Sequence, residues 1–157
     1  LFLLERFNLD AKHAGLILAL VALMMAFVQG GGIGKLVKKY GEPTLIFVGT
    51  LLMTIAMFGV GISGSLLVFV LFCSLQGLGY GITNPSLQGL MSKMSPKNAQ
   101  GTTMGVYQSA GSLGRIIGPV SAGYLFQHAG SAWPFYVAAM MFGFSFLVIQ
   151  LKKNIWA

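Results

Sequence analysis

The residue whose chemistry most needs a structural explanation is Arg115, the only charged residue between Lys97 and Lys152. It sits near the middle of Gly101–Gln127, GTTMGVYQSAGSLGRIIGPVSAGYLFQ, a stretch that reads as one membrane-spanning helix. A cation at bilayer depth costs about 2.5–3.5 kcal/mol on insertion scales, so it turns towards protein or water and marks a functional pathway. Steps of three or four place Gln108, Gly111 or Ser112, Arg115, Gly118 or Pro119, and Ala122 on one helical face. Pro119 cannot donate to the Arg115 carbonyl, which weakens the ladder beside the charge and favours a bend. Gly114 and Gly118, like Gly101 and Gly105, have the small-xxx-small spacing that lets two helices pack backbone to backbone.

A second polar stripe runs along the stretch 66–91, where Cys73, Gly77 beside Gln76, Tyr80, Asn84 and Gln88 recur at helical steps. Taken singly, each neutral amide or phenol is ordinary interhelical glue. Arg115 is different because a buried cation needs a specific counter-charge. The acids are Glu5, Asp10 and Glu42, none of which reaches the middle of a membrane in the topology described below. Its partner is therefore a group on helices outside this chain, an anionic or dipolar substrate, or free carbonyls and water.

These residues must be carried by a polytopic helical bundle. Hydrophobic residues make up 55% of the 157, and charged residues only 8%, against about 25% in soluble domains. Charge is absent from Ala14 to Gly34, from Pro43 to Ser92 and from Ile116 to Leu151. With about 20 residues needed per crossing, the pattern predicts five spans, near 14–32, 43–62, 66–91, 101–127 and 133–151. Residues 1–157 form one all-α membrane unit with no separate soluble domain. Pro43 suits a first helical turn, Asn84-Pro85 predicts a bend in the third span, and Trp133, Phe135 and Tyr136 suggest an interfacial belt. Glu5–His13 reads as a mixed-charge loop, and His128–Ser131 as a short turn. Spans 43–62 and 133–151 carry little that can hydrogen-bond and read as outer scaffold, leaving the polar stripes to face a protein interior or a water-filled cavity.

The net charge of +7 does not point to nucleic acid. Lys35, Lys38, Lys39, then Lys93, Lys97, then Lys152, Lys153 fall on every second loop, the positive-inside pattern. That pattern puts the N-terminal loop outside and the C-terminus in the cytoplasm of a plasma or inner membrane. The first residue is Leu1, and Leu1–Leu4 read as the outer end of a span that precedes the chain; no signal-peptide pattern is present. The lone Cys73 excludes an internal disulfide.

Enzymatic chemistry is not indicated. No Ser/His/Asp set, carboxylate pair or metal-ligand spacing surrounds His13 or His128, so neither a metal nor a cofactor is expected. Gly30-Gly31-Gly32-Ile33-Gly34-Lys35 lacks both the spacing and the preceding strand of a phosphate-binding loop.

Two motifs resemble those of the major facilitator superfamily. Gly34-Lys-Leu-Val-Lys-Lys-Tyr-Gly41 is similar to the second-half copy of its GxLxDRxGRR loop signature, with Lys38 standing where the acid would be. Gly114-Arg-Ile-Ile-Gly118-Pro119-Val-Ser-Ala122-Gly123 resembles the GxxxGPxxGG antiporter signature, with Ala122 in place of a glycine. Together with Gln76-Gly77-x-Gly79-x-Gly81-x-x-Asn84-Pro85, Ser95-Pro96 and Gln108-Ser109, the set looks like the drug:proton antiporter, tetracycline-efflux-like branch. The resemblance implies helices eight to twelve of a twelve-helix fold, whose N-terminal half lies outside this chain. It implies that helices eight, ten and eleven line a central cavity while nine and twelve are peripheral, and that the two halves rock about a midplane substrate site.

The combined expectation is a transporter exporting small amphipathic compounds in exchange for protons, embedded in lipid and without a nucleic-acid partner. Arg115, Gln76, Tyr80, Asn84 and Gln108 would line the substrate pathway, and Gly34, Gly41, Gly114, Gly118 and Pro119 would serve helix packing and gating. Two alternatives stay open: a metabolite facilitator or symporter, and a non-transporting membrane scaffold or receptor.

Overall fold

The computed structural model describes residues 2–151. Lys152 and Lys153, expected to mark the end of the last span, lie outside the described residues. Described residues form helices and short turns: α1 (Phe2–Phe7), α2 (Ala11–Phe27), a π-helical turn (Val28–Gly32), α3 (Ile33–Tyr40), α4 (Glu42–Ile62), α5 (Leu66–Met94), α6 (Gln100–Ala129) and α7 (Trp133–Leu151). The all-α expectation is met.

The stretch expected to be a mixed-charge loop at the start is mostly helix. Phe2 stacks on Phe69 at 5.5 Å and meets Phe135 edge-on at 4.9 Å, while Phe7 packs on Phe69 at 5.7 Å. Arg6 donates from Nε to the Ser63 carbonyl at 3.1 Å. These contacts dock α1 over the α4–α5 turn and turn Phe135 inward, where an interfacial belt residue was expected. Tyr136 also packs inward, against Gly61, whereas Trp133 remains exposed. Asp10 then caps α2 by accepting from the His13 amide at 3.2 Å and pairs with the His13 ring at 2.7 Å. Those hydrogen bonds hold its carboxyl below the usual range.

Helix is continuous from Ala11 to Tyr40, a run of 30 residues. The stretch Gly34–Tyr40, read as a loop, is therefore the last part of this helix. Nothing local forces a stop before Gly41, whose φ of 76° and ψ of 155° lie in a region that only glycine adopts without strain. Gly130 plays the same part between α6 and α7, with φ 114° and ψ 164°. His128 belongs to the last turn of α6 and stacks on Tyr124 at 4.2 Å, so the expected turn begins only at Gly130.

Pro43 occupies the first turn of α4, as its ring geometry favours. Glu42, nearly buried, forms an ion pair with Lys93 at the end of α5, which fastens the two helix ends together. Along their length α4 and α5 cross backbone to backbone. A Cβ at Gly49 would stand 2.9 Å from the Gly79 carbonyl, and one at Gly79 would stand 2.9 Å from the Gly49 carbonyl. On the other side of α5, a Cβ at Gly77 would meet the Val21 carbonyl of α2 at 3.1 Å, and one at Gly81 the Met25 Cα at 3.4 Å. The glycine run of α5 thus serves two neighbours at once. It lets α2 in on one face and α4 on another.

α7 packs on the opposite face of α4, with Phe146 against Phe47 at 4.5 Å. Hence α4, expected at the periphery, is the most enclosed helix among the described residues, with Leu45, Ile46, Met53, Ala56 and Val60 all buried. α6 is the opposite case. It runs for 30 residues without a single buried one, and its main packing partners among the larger helices are α7 and α5. Ala11–Tyr40, α4, α5 and α7 are each long and apolar enough to cross a membrane; α6 is as long but more polar.

Candidate functional site

The polar residues singled out in the sequence separate into two groups. On α6, Arg115 lies along its own helix and donates from Nη2 to the Ser112 hydroxyl at 3.1 Å. A Cβ at Gly111 would stand 3.8 Å from its Nη1, so the absent side chain leaves room for the guanidinium. The helical-face assignment of Gly111, Ser112 and Arg115 therefore corresponds to contacts. No carboxylate reaches Arg115 among the described residues: Asp10 is held by His13, Glu42 by Lys93, and Glu5 lies exposed on α1. Gln108, one and a half to two turns earlier, is exposed, and its amide has no partner among the described residues. Gln76 on α5 is half-buried and does not approach this group. A Cβ at Gly101, Gly105, Gly114, Gly118 or Gly123 would meet no heavy atom within 4 Å, so the small-residue spacing on α6 packs against nothing in the described chain. Gly34 is likewise open, whereas Gly41 is explained by its backbone conformation. Both α5 and α6 remain helical through their prolines, Pro85 and Pro119.

The second group surrounds a cavity of about 330 Å³ between α4, α5 and α7, closed on one side by Tyr107 of α6. Tyr80 and Asn84 line it, as the stripe on α5 required. Tyr107 donates its hydroxyl to Asn84 Oδ1 at 2.6 Å, tying α6 to α5 side chain to side chain. Phe47, Phe142, Thr50, Thr83 and Ser145 complete much of the wall. Thr50, Thr83 and Ser145 each donate to a carbonyl four residues earlier in their own helix, at 2.7, 2.8 and 2.9 Å, which satisfies their hydroxyls without opening the helix.

Thus Tyr80 and Asn84 come together, while Gln76, Gln108 and Arg115 lie outside this cavity. Tyr107 is the participant that face counting did not select. It stands one residue from Gln108 and so points about 100° away from the Arg115 stripe. Thr44, Thr50 and Ser145 come from the two helices read as scaffold, where isolated hydroxyls carry no periodic signal.

The sequence matches the Major Facilitator Superfamily profile over residues 1–153. A tetracycline resistance protein of class H from Pasteurella multocida is 32% identical over 138 residues, covering 85% of this chain and 33% of that protein. A class B tetracycline resistance protein from Escherichia coli is 29% identical over 98% of this chain and 38% of its own length. The crystal structure of the human organic anion transporter MFSD10 (TETRAN) superposes with a TM-score of 0.85 at 25% identity, covering 94% of this chain and 34% of that one. The chain thus spans about a third of the length of these relatives.

Proposed function

The chain belongs to the major facilitator superfamily, and on that premise we propose that it supplies the C-terminal helices of a secondary transporter that exports small amphipathic compounds in exchange for protons. The observation that carries this reading is α6: a 30-residue helix with no buried residue, an open glycine face and a cation without a carboxylate partner among the described residues. Such a surface is costly against lipid and suits a protein interior or a watered pathway. In relatives roughly three times as long, further helices are available to cover it.

In this reading α6 is the fourth span of the chain, and its Arg115 and Gln108 face the translocation pathway together with Gln76 of α5. Tyr80 and Asn84 border that pathway where α5 turns towards the α4–α7 cavity. Gly114 and Gly118 allow close approach of a helix from the other half, and Pro119 lets α6 bend as the halves rock. Gly34 and Gly41 frame the junction between the first two spans. The lysines at alternate junctions put the Lys93 end, and the C-terminus, in the cytoplasm. Drug export is favoured by the tetracycline resistance relatives; transport, rather than catalysis, is the activity to look for.

The test uses everted membrane vesicles containing the full-length protein and an established inward proton gradient. Addition of tetracycline, or of a panel of amphipathic drugs, is expected to dissipate the gradient as substrate enters the vesicle and protons leave. A gradient unaffected by every compound, or compound accumulation that persists unchanged when the gradient is collapsed, would overturn the antiport reading.

A further inference from the structure

The cavity between α4, α5 and α7 has a chemistry of its own, different from the charged stripe on α6. Four aromatic rings from four helices face it: Phe47, Tyr80, Phe142 and Tyr107. No Asp, Glu, Lys, Arg or His lines it. An ion entering it would lose hydration and find no counter-charge. Its volume, about 330 Å³, is within the range of about 300–1,000 Å³ typical of small-molecule sites.

Its hydrogen-bonding capacity is equally restrictive. The hydroxyls of Thr50, Thr83 and Ser145 already donate within their own helices. The Asn84 carbonyl oxygen accepts from Tyr107, which leaves the Asn84 amide N–H groups with no partner among the described residues. Were the amide turned over, its nitrogen would donate to Tyr107 and release the phenolic O–H instead. One donor remains on this pair in either arrangement, and the Tyr80 and Thr44 hydroxyls also line the cavity. We propose that this cavity is a binding site for a neutral aromatic molecule bearing a hydrogen-bond acceptor, such as a ketone or amide carbonyl, held by Asn84 and sandwiched among the four rings. The site is separate from the Arg115 stripe and does not rest on the transport reading.

The experiment uses tritiated benzophenone, a neutral diaryl ketone that inserts into nearby C–H bonds on irradiation and attacks methionine readily. Full-length protein in detergent is irradiated with it and the labelled peptides are mapped. Labelling is expected at Met53, which is 4% exposed and lines the cavity, well above that at Met141, which is 67% exposed on α7. Unlabelled fluorenone in excess should suppress the Met53 adduct, and the charged analogue 4-benzoylbenzoate should label Met53 at less than about a tenth of the level, since its carboxylate has no partner there. Asn84→Leu should weaken apparent benzophenone affinity about fivefold, the equivalent of one neutral hydrogen bond. Ser145→Trp, which fills the cavity from α7, should abolish the Met53 adduct while leaving Met141 labelling unchanged. Equal labelling of Met53 and Met141 that neither variant alters would overturn the proposal in favour of simple partition into the detergent or lipid. Met53 labelling by 4-benzoylbenzoate at the level of benzophenone would also overturn it. Both readouts are independent of solute flux, so failure of the transport reading leaves this one standing, and the reverse.

Discussion

Replacing Gly49 by alanine should be among the most damaging single-methyl changes in the chain. An ideal Cβ there lands 2.9 Å from the Gly79 carbonyl oxygen and overlaps the Thr83 hydroxyl. Ordinary C···O approach in packed helices is about 3.3–3.6 Å, so α4 and α5 would have to separate by roughly half an ångström along their closest contact. Thr83 would also have to leave the rotamer in which it donates to the Gly79 carbonyl at 2.8 Å, losing about 1 kcal/mol. Overpacking of this kind costs about 1–3 kcal/mol. Alanine recovers about 1 kcal/mol through its better helix propensity, so the net destabilisation is about 1–3 kcal/mol. Thermal unfolding of the full-length protein in detergent, followed by monodisperse fraction after heating, measures it. Gly15→Ala is the matched control, because a Cβ at Gly15 meets nothing within 4 Å. Gly49→Ala should melt clearly below wild type and Gly15→Ala at or above it. Thr83→Ala, which removes one of the two obstructing atoms, should lose less in the Gly49→Ala background than alone, a coupling of about 0.5 kcal/mol or more. Equal melting of Gly49→Ala and Gly15→Ala would refute the close crossing.

Three other perturbations follow from the same geometry. Gly41→Ala should lower stability by about 1–3 kcal/mol, because φ 76° with ψ 155° is essentially restricted to glycine; an unchanged melt would mean that the helix 11–40 ends elsewhere. Lys93→Ala removes the partner of the nearly buried Glu42 and should cost about 1–2 kcal/mol, above an exposed pair and below a fully buried one, with Lys93→Arg close to wild type in the same assay. Tyr107→Phe severs the hydrogen bond to Asn84 and should cost about 1 kcal/mol. Asn84→Ala should then add little in that background, and fully additive losses would argue against a shared bond.

Most of the bundle was legible because lipid imposes a coarse rule on composition. Long uncharged runs separated by lysines located α2, α4, α5 and α7, and Pro43 marked the first turn of α4 correctly. α6 was legible for a different reason, through polar and small residues at helical steps, and hydropathy alone would have passed it over. What composition could not convey was which neighbour each surface meets. Glu5, Arg6, Asp10 and Lys12 gave the first stretch a loop-like charge content, while Phe2 and Phe7 held the side-chain contacts that make α1 dock. The glycine run ending at Gly34 resembled a loop boundary, yet a π-helical turn carries the helix through Gly30, Gly31 and Gly32, and the residues after Gly34 are helical to Tyr40. The cavity was half visible: Tyr80 and Asn84 fell on one face, but its other walls come from single hydroxyls and rings on α4 and α7 that have no period of their own. Enclosure of α4 was hidden for the same reason, since Gly49 and Gly59 permit close packing without announcing a partner.

The central claim concerns Arg115 as a pathway residue rather than a tolerated oddity. Proteoliposomes containing the full-length protein, its Arg115→Lys variant or its Arg115→Ala variant provide the direct measurement, with proton-driven substrate flux followed from pH 6 to pH 8. Arg115→Ala should lose most of the flux, and Arg115→Lys should retain part of it with an altered pH profile, because the charge persists while the planar, multiple-donor geometry is lost. Wild-type flux with an unchanged pH profile in both variants would contradict the account.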